Sequence, residues 1–411
     1  MRYVLSGVVF LILLAAAYLL FWPVRIEPVV VTPGQNPGFT GPFSQNVALR
    51  NVGWTNGPLG KGPEDVAIKD GFAYTGLEDG QIVRIRIDGQ GANGPQPIQP
   101  VIPSTSPPAA TAPSSSASSS APSAPIAGVG ELIANTGGRP LGLQFDPYGN
   151  IVVADARKGL LAISPDRRIH LVRSDYQGIP LRFVADLDIA KDGTIYFSDA
   201  SQRYGLDDYG LDFYEGQATG RLFSFSPSTG RVEEKLTGLA FANGVAIGPD
   251  EEYVLVNETA AARITRLWLK GPKIGQKDTF IENLPGYPDN LSFNGSNIFW
   301  VALAGPRSRA LESNMGSPFM RKVMYRLQML GLAGSAAPDV YGCILAINLQ
   351  GQVVATLQDP GGLKIHTITS VNEKDGLLYL GGLQMDRIAI IPVPPQLLGP
   401  RPGLPGGQPP Q

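Results

Sequence analysis

Through most of the chain, apolar residues come in short runs of three to six, broken by Gly, Asp, Asn and Pro. One run–turn–run unit returns six times, at Glu64–Tyr74, Leu141–Val153, Ala185–Phe197, Asn243–Leu255, Asp289–Trp300 and Thr369–Leu380. Asp-Gly pairs at Asp70-Gly71, Asp192-Gly193 and Asp375-Gly376 sit between the two runs of a unit, where a tight β-turn needs them. Each unit is followed by a further strand pair, such as one containing Ile82–Ile87 or Gly220–Phe225. Self-similarity at this period, with little helix, predicts an all-β fold: a six-bladed β-propeller with four strands per blade. The segment Val47–Val52 is the expected source of the strand that closes the ring.

Two stretches break the alternation. Val4–Trp22 is one apolar run preceded by Arg2. About 20 such residues cross a bilayer as a helix. Ala15, Ala16 and Ala17 imitate a cleavage site, but the apolar run continues past them to Trp22, so an uncleaved anchor over residues 1–24 is favoured over a cleaved signal. Arg2 then lies in the cytoplasm and the body outside, which is the periplasm if the source is bacterial; Arg25 flanks the other end. In the second stretch, Ser308–Leu332, the residues Phe319, Met320, Val323, Met324, Leu327 and Leu330 recur at helical spacing. Four of the six methionines fall here. Two readings stay open: a helix packed on a blade edge, or an adaptable lid or membrane-touching helix beside the channel.

Composition sharpens the boundaries. Residues 94–128 are rich in Pro, Ser and Ala and nearly free of charge, so they are expected to stay unfolded as an insertion in the first blade. Gly89–Gly94 matches a dinucleotide-binding glycine pattern, but a Pro-rich stretch follows it where a helix is required. The domain plan is therefore an anchor at 1–24, the propeller start at 25–93, the insertion at 94–128, the rest of the propeller at 129–392, and a Pro/Gly-rich tail at 393–411. Charged residues are 17% and the formal net charge is -2, which excludes a phosphate-binding surface and hence nucleic acid as a partner. Oligomeric state is not legible. Cys343 is the single cysteine, and His170 and His366 are the two histidines, so no disulfide and no Cys- or His-rich metal site can form within the chain. A metal here must be held by oxygen, which points to a hard cation such as calcium.

The first strand of each blade lines the channel of a propeller, so equivalent repeat positions converge in space. Those positions hold Glu64, Leu141, Ala185, Asn243, Asp289 and Thr369, with Asn290 next to Asp289. Two carboxylates and two amides in one narrow channel are costly unless paired. Either calcium or channel water and neighbouring strands satisfy them. His366 precedes the last inner strand and is a candidate general base or a structural hydrogen-bonding residue. Asn257-Glu-Thr and Asn290-Leu-Ser match glycosylation sequons, the second of them set in the channel.

The motifs Gly62–Ala67, Gly138–Gly142, Phe241–Ala246, Leu284–Leu291, Val254–Ile264 and Asp375–Gly381 resemble the strictosidine synthase-like family, including its adipocyte plasma membrane-associated branch. The resemblance covers roughly residues 28–392 outside the Pro/Ser insertion. It implies a six-bladed propeller, an N-terminal anchor, and kinship with gluconolactonases, paraoxonases and phosphotriesterases. In metal-using relatives a Glu, one or two Asn and an Asp hold a catalytic calcium; Glu64, Asn243 and Asp289 match that set. Ala185 stands where many relatives carry Asn, and Asp186 alternates to the other side of the strand. The glutamate that serves true strictosidine synthases corresponds to Thr369, so the synthase reaction is not expected.

The resulting expectation is a membrane-anchored calcium-dependent hydrolase of small esters or lactones. Asp289 and His366 are the catalytic candidates, Asn290 and Thr369 contact substrate, and Glu64, Asn243 and Asp289 hold the metal. The alternative is a non-catalytic binding or scaffold protein of the cell envelope, which the loss of a ligand at Ala185 favours.

Overall fold

In the computed structural model, the structure describes residues 2–87, 130–332 and 340–398. The expected insertion, the Gly89–Gly94 motif and the tail beyond residue 398 lie outside the described residues. Six four-stranded antiparallel sheets follow one another in chain order. Blade I holds Ala67–Lys69, Phe72–Gly76, Gln81–Arg86 and Glu131–Asn135. Blade II runs from Pro140 to Arg173, blade III from Val184 to Leu239, blade IV from Ala242 to Ile281 and blade V from Gly286 to Pro360. Blade VI combines Ile368–Lys374, Leu377–Gly382 and Ala389–Pro392 with an N-terminal strand, Gly53–Trp54, which pairs with Ile390 and Ala389. The ring thus closes by joining the two ends of the propeller in one sheet, with Gly53–Trp54 as its outermost strand. The closing strand begins one residue beyond the expected Val47–Val52, because Ala48–Asn51 tightens into a 3-10 turn that buries Leu49.

The six repeat units are the first two strands of the six blades. Between blades the core is apolar: Trp300, Ile344 and Leu380 pack together, as do Phe299, Leu255 and Leu345. Carboxylates fix the start of several inner strands. Asp155 accepts the Arg139 N–H at 3.0 Å, Asp199 the Phe183 N–H at 2.9 Å, and Glu258 the Ala240 N–H at 2.9 Å. Each carboxylate ends the second strand of its blade and so holds the chain entering the first. Deeper in the channel, inner strands are stitched to their neighbours: Asp65 accepts the Leu143 N–H, Asp186 the Val245 N–H, and Asp188 the Ile247 N–H.

The N-terminal helix α1, Arg2–Phe21, is apolar throughout, and none of its membrane-length span is buried against the rest of the chain. Two helical insertions rise from the face where the inner strands begin. Helix α2, Gly210–Glu215, joins the second and third strands of blade III. Helices α3, Arg309–Glu312, and α4, Pro318–Met329, do the same in blade V. Ser308 and Ser317 cap them by accepting the N–H groups of Leu311 and Met320, and Pro318 opens α4 where its missing N–H costs nothing. The extended segment after α1 crosses this same face: Val29 pairs with Glu215, Val31 with Met315, and Arg307 donates to the carbonyls of Gly34 and Gln35. Beyond blade VI, Val393 is buried, and Leu397 and Leu398 pack on that blade's core, so ordered chain continues past residue 392.

Candidate active site in the channel

Glu64, Asn243, Asp289 and Asn290 meet at the mouth end of the channel, and each is at most 8% exposed. The Asn243 amide donates to Asp289 Oδ1 at 2.6 Å, bridging blades IV and V. The Asn290 amide donates to both Glu64 carboxylate oxygens, at 3.2 and 3.3 Å, bridging blades V and I. Glycine makes this approach possible. A Cβ on Gly244 would lie 2.6 Å from both the Asn290 Cα and the Asp289 carbonyl oxygen, and one on Gly381 would lie 2.4 Å from the Glu64 carbonyl oxygen. The Ala-Asn-Gly run of blade IV is therefore a packing requirement that delivers Asn243 to Asp289.

The electrostatics of the site are unfavourable for two free carboxylates. Burial, followed by the neighbouring Asp289 and Asp65 charges, raises the Glu64 carboxyl well above its usual range, and Arg139 offsets only part of this. Burial likewise raises Asp289 against the lowering effect of the Asn243 hydrogen bond. The buried Asn290 Oδ1 has no hydrogen-bond partner. Two carboxylates and two amides, the Asn290 oxygen among them orphaned, form an all-oxygen set that suits calcium, since binding would relieve both the repulsion and the orphan. The set holds only two carboxylates, and no cluster of three or more His, Cys, Asp or Glu side chains suited to a metal occurs among the described residues.

The other expected residues are placed as follows. Ala185 is 1% exposed, in an apolar cluster with Leu141, Phe183, Ala200 and Phe241, so that quarter of the shell contributes no oxygen. Asp186 turns away toward blade IV, with its carboxylate on the Val245 N–H. Thr369 is fully buried, and its hydroxyl donates to the Glu64 carbonyl at 2.6 Å, which braces the backbone of Glu64. His366 lies on the loop entering blade VI, half-buried, with Nδ1 3.0 Å from the Thr367 hydroxyl. His170 lies on the exposed outer strand of blade II.

Sequence reasoning missed two groups. Asn257 is fully buried, and its amide donates to the Asp289 carbonyl at 2.6 Å; Thr259 holds the Pro288 carbonyl in the same way. Both sequon asparagines, Asn257 and Asn290, are thus inaccessible to a glycosylating enzyme in the folded chain. The period-2 position of Asn257 on a strand facing blade V was the available signal. The second group is an aromatic rim. Phe183, Tyr209, Phe213, Phe241 and Tyr287 form a chain of ring contacts 4.9 to 6.0 Å apart. Phe183 and Phe241 cluster with Ala185, which sets this rim against that inner-strand position, and burial, with the Asp289 charge second, raises the Tyr209 phenol. The opposite half of the channel holds a cavity of about 210 Å³ lined by Asp65, Asp186, Asp188, Asn290 and Asn372 among others.

Comparison with known proteins now decides the lineage. The chain is 32% identical over 398 residues to the adipocyte plasma membrane-associated protein of Salmo salar, covering 92% of this chain and 86% of that one. This chain belongs to the strictosidine synthase-like family. The strictosidine synthase profile matches residues 185–272, and the strictosidine synthase-like N-terminal profile matches residues 41–85. Strictosidine synthase-like protein 13 of Arabidopsis thaliana is 35% identical over 261 residues, or 62% of each chain. Among solved structures, a gluconolactonase from Xanthomonas campestris aligns with a TM-score of 0.54 at 15% identity, over 90% of this chain and 99% of that one. A calcium-binding regucalcin from Agrobacterium tumefaciens aligns with a TM-score of 0.52 at 11% identity, over 83% and 94%. At these identities the two structures establish the shared propeller fold.

Proposed function

We propose that this protein is a membrane-anchored, calcium-dependent hydrolase of small esters or lactones. The observation that carries the proposal is the buried Glu64–Asn290 and Asp289–Asn243 pairing under an aromatic rim, in which two carboxylates share one mouth without an equal number of basic partners. Glu64, Asn243, Asp289 and the Asn290 Oδ1 would hold calcium, which when bound supplies Lewis-acid polarisation of a carbonyl or phosphoryl oxygen. Asn243 fixes the Asp289 carboxylate so that it can take a proton from an attacking water or attack the carbonyl carbon itself. Asn257 and Thr259 hold the Asp289 backbone still while this happens. The apolar rim of Phe183, Phe213, Phe241 and Tyr287 favours the acyl or lactone portion of a substrate and excludes water. His366 stands as a second general-base candidate at the entry to blade VI. Helix α1 spans about 30 Å at 1.5 Å per residue, which matches a bilayer core; it would anchor the chain with the propeller outside the cytoplasm.

Support for the fold side of this reading comes from the gluconolactonase and regucalcin propellers. The competing reading, a non-catalytic envelope binding module, is favoured by Ala185, which removes one oxygen from the shell. Chelator-treated protein assayed on arylesters and lactones separates them: calcium-stimulated turnover supports the hydrolase, whereas unchanged, absent turnover with no bound calcium supports the binding module.

A further inference from the structure

Helix α4 buries two arginines and leaves apolar side chains exposed at both of its ends. Its buried side chains are Arg321, Tyr325 and Arg326, while Phe319 is 54% exposed, Met329 58% and Leu330 50%, with Met320 and Leu332 also exposed. A helix on a water-facing surface buries its apolar stripe; this one leaves Phe319, Met320 and Leu330 of that stripe exposed and Val323, Met324 and Leu327 only half-buried, and it exposes Met329 as well. The arginines point in because they hold backbone carbonyls. Arg321 donates to Tyr214 and Glu215 of blade III, to Met315 and to Val29. Arg326 donates to the carbonyls of Leu19 at 2.8 Å and Trp22 at 2.7 Å. Leu19 lies in the last turn of α1, where carbonyls lack an intrahelical partner, and Trp22 follows the helix directly. One side chain therefore fastens α4 to the end of the 20-residue apolar helix, at the depth where that helix would leave the hydrocarbon.

Apolar residues continue outward on the same face of the propeller. Val30 is 69% exposed, Val340 48% and Leu363 71%, and all three lie on the segments that cross or edge the face where the inner strands begin. That face also carries Glu64, Asn243 and Asp289.

We propose that α4 is an interfacial helix. Its Phe319–Leu330 stripe beds in the lipid surface around α1 and sets the propeller down with its channel mouth toward the bilayer. The occupant of this apolar face is lipid, because the face is continuous with the membrane-length helix that Arg326 caps. The inference rests on the anchor reading of α1 given above.

The test uses the full chain reconstituted in phosphatidylcholine–phosphatidylglycerol vesicles. Single cysteines at Phe319→Cys, Leu330→Cys, Leu11→Cys and Tyr148→Cys are labelled with an environment-sensitive dye; Cys343 is 2% exposed and stays unlabelled. Tyr148 is 78% exposed in the first turn of blade II, at the opposite face. Lipids carrying a shallow spin label should quench the Phe319 and Leu330 labels at least twofold more than the Tyr148 label, and aqueous iodide should quench them less. If the Leu11 label is in lipid but the Phe319 and Leu330 labels behave like Tyr148, the interfacial helix is overturned and the anchor stands. If Leu11 is also aqueous, both fail. If Phe319 and Leu330 are in lipid while Leu11 is not, the anchor reading falls and with it the placement of the stripe around α1, so the proposal is overturned.

Discussion

The amide of Asn243 and the carboxylate of Asp289, 46 residues apart in the chain, meet at 2.6 Å across two blades. Every residue that supports this contact is itself constrained. Gly244 lets the strands touch, and Asn257 and Thr259 pin the backbone on either side of Asp289. A contact held from so many sides is a preorganised one, and it is the centre of the chemistry proposed here.

Asp289→Asn keeps the size of the side chain and removes its charge. Hydrolytic kcat/KM should fall by about 100-fold or more, the range expected for loss of a positioned acid–base group. The melting temperature in chelator should hold or rise, because a buried carboxylate with a raised pKa is replaced by a neutral amide. Thermal melts beside steady-state kinetics check both outcomes.

Ala185→Asn returns an oxygen to the empty quarter of the shell. Calcium should bind more tightly, read by titration calorimetry. The same change places a larger polar side chain among Leu141, Phe183, Ala200 and Phe241, so the metal-free protein should lose about 1–3 kcal/mol in a denaturant melt.

Gly244→Ala adds one carbon within 2.6 Å of backbone atoms of Asp289 and Asn290, neither of which can move aside cheaply. The variant should lose about 1–3 kcal/mol of stability and most of its calcium response. Gly316→Ala, at a site with open space and, like Gly244, without a positive φ, controls for the loss of a glycine; its melting temperature should fall less and its calcium response should stay.

Burial holds the Asp188 carboxyl up at about 6 in the folded chain, above an unfolded value near ~3.9. Its contribution to stability is therefore present below pH ~4 and is lost as pH rises through about 6. Asp188→Asn removes that loss while its amide oxygen can still accept the Ile247 N–H. The drop in melting temperature between pH 5 and pH 8 should be smaller in this variant than in the parent.

The six blades were legible because each inner strand, its turn and the following strand repeat a pattern that strand geometry imposes, with an Asp-Gly or Asn-Gly turn in four of the six. The closing strand was placed slightly early, because nothing in Val47–Val52 announces the 3-10 turn at Ala48–Asn51. Glu64, Asn243, Asp289 and Asn290 were found because equivalent repeat positions converge. Asn257 escaped because it sits on a second strand and reads as a surface sequon; its role appears only when blade V is packed against it. The apolar stripe of α4 was visible as a period, but a period does not say which side faces the protein. That was decided by carbonyls at the end of α1, three hundred residues away in sequence, which draw Arg326 inward.

Calcium titration calorimetry on the chelator-stripped full chain, run in parallel on Asp289→Asn, tests the central claim most directly. The account predicts one calcium per chain for the parent, at least tenfold weaker binding for the variant, and ester or lactone turnover that appears as the parent site fills. No heat of binding in the parent, or a parent and variant that bind and turn over alike, would contradict it.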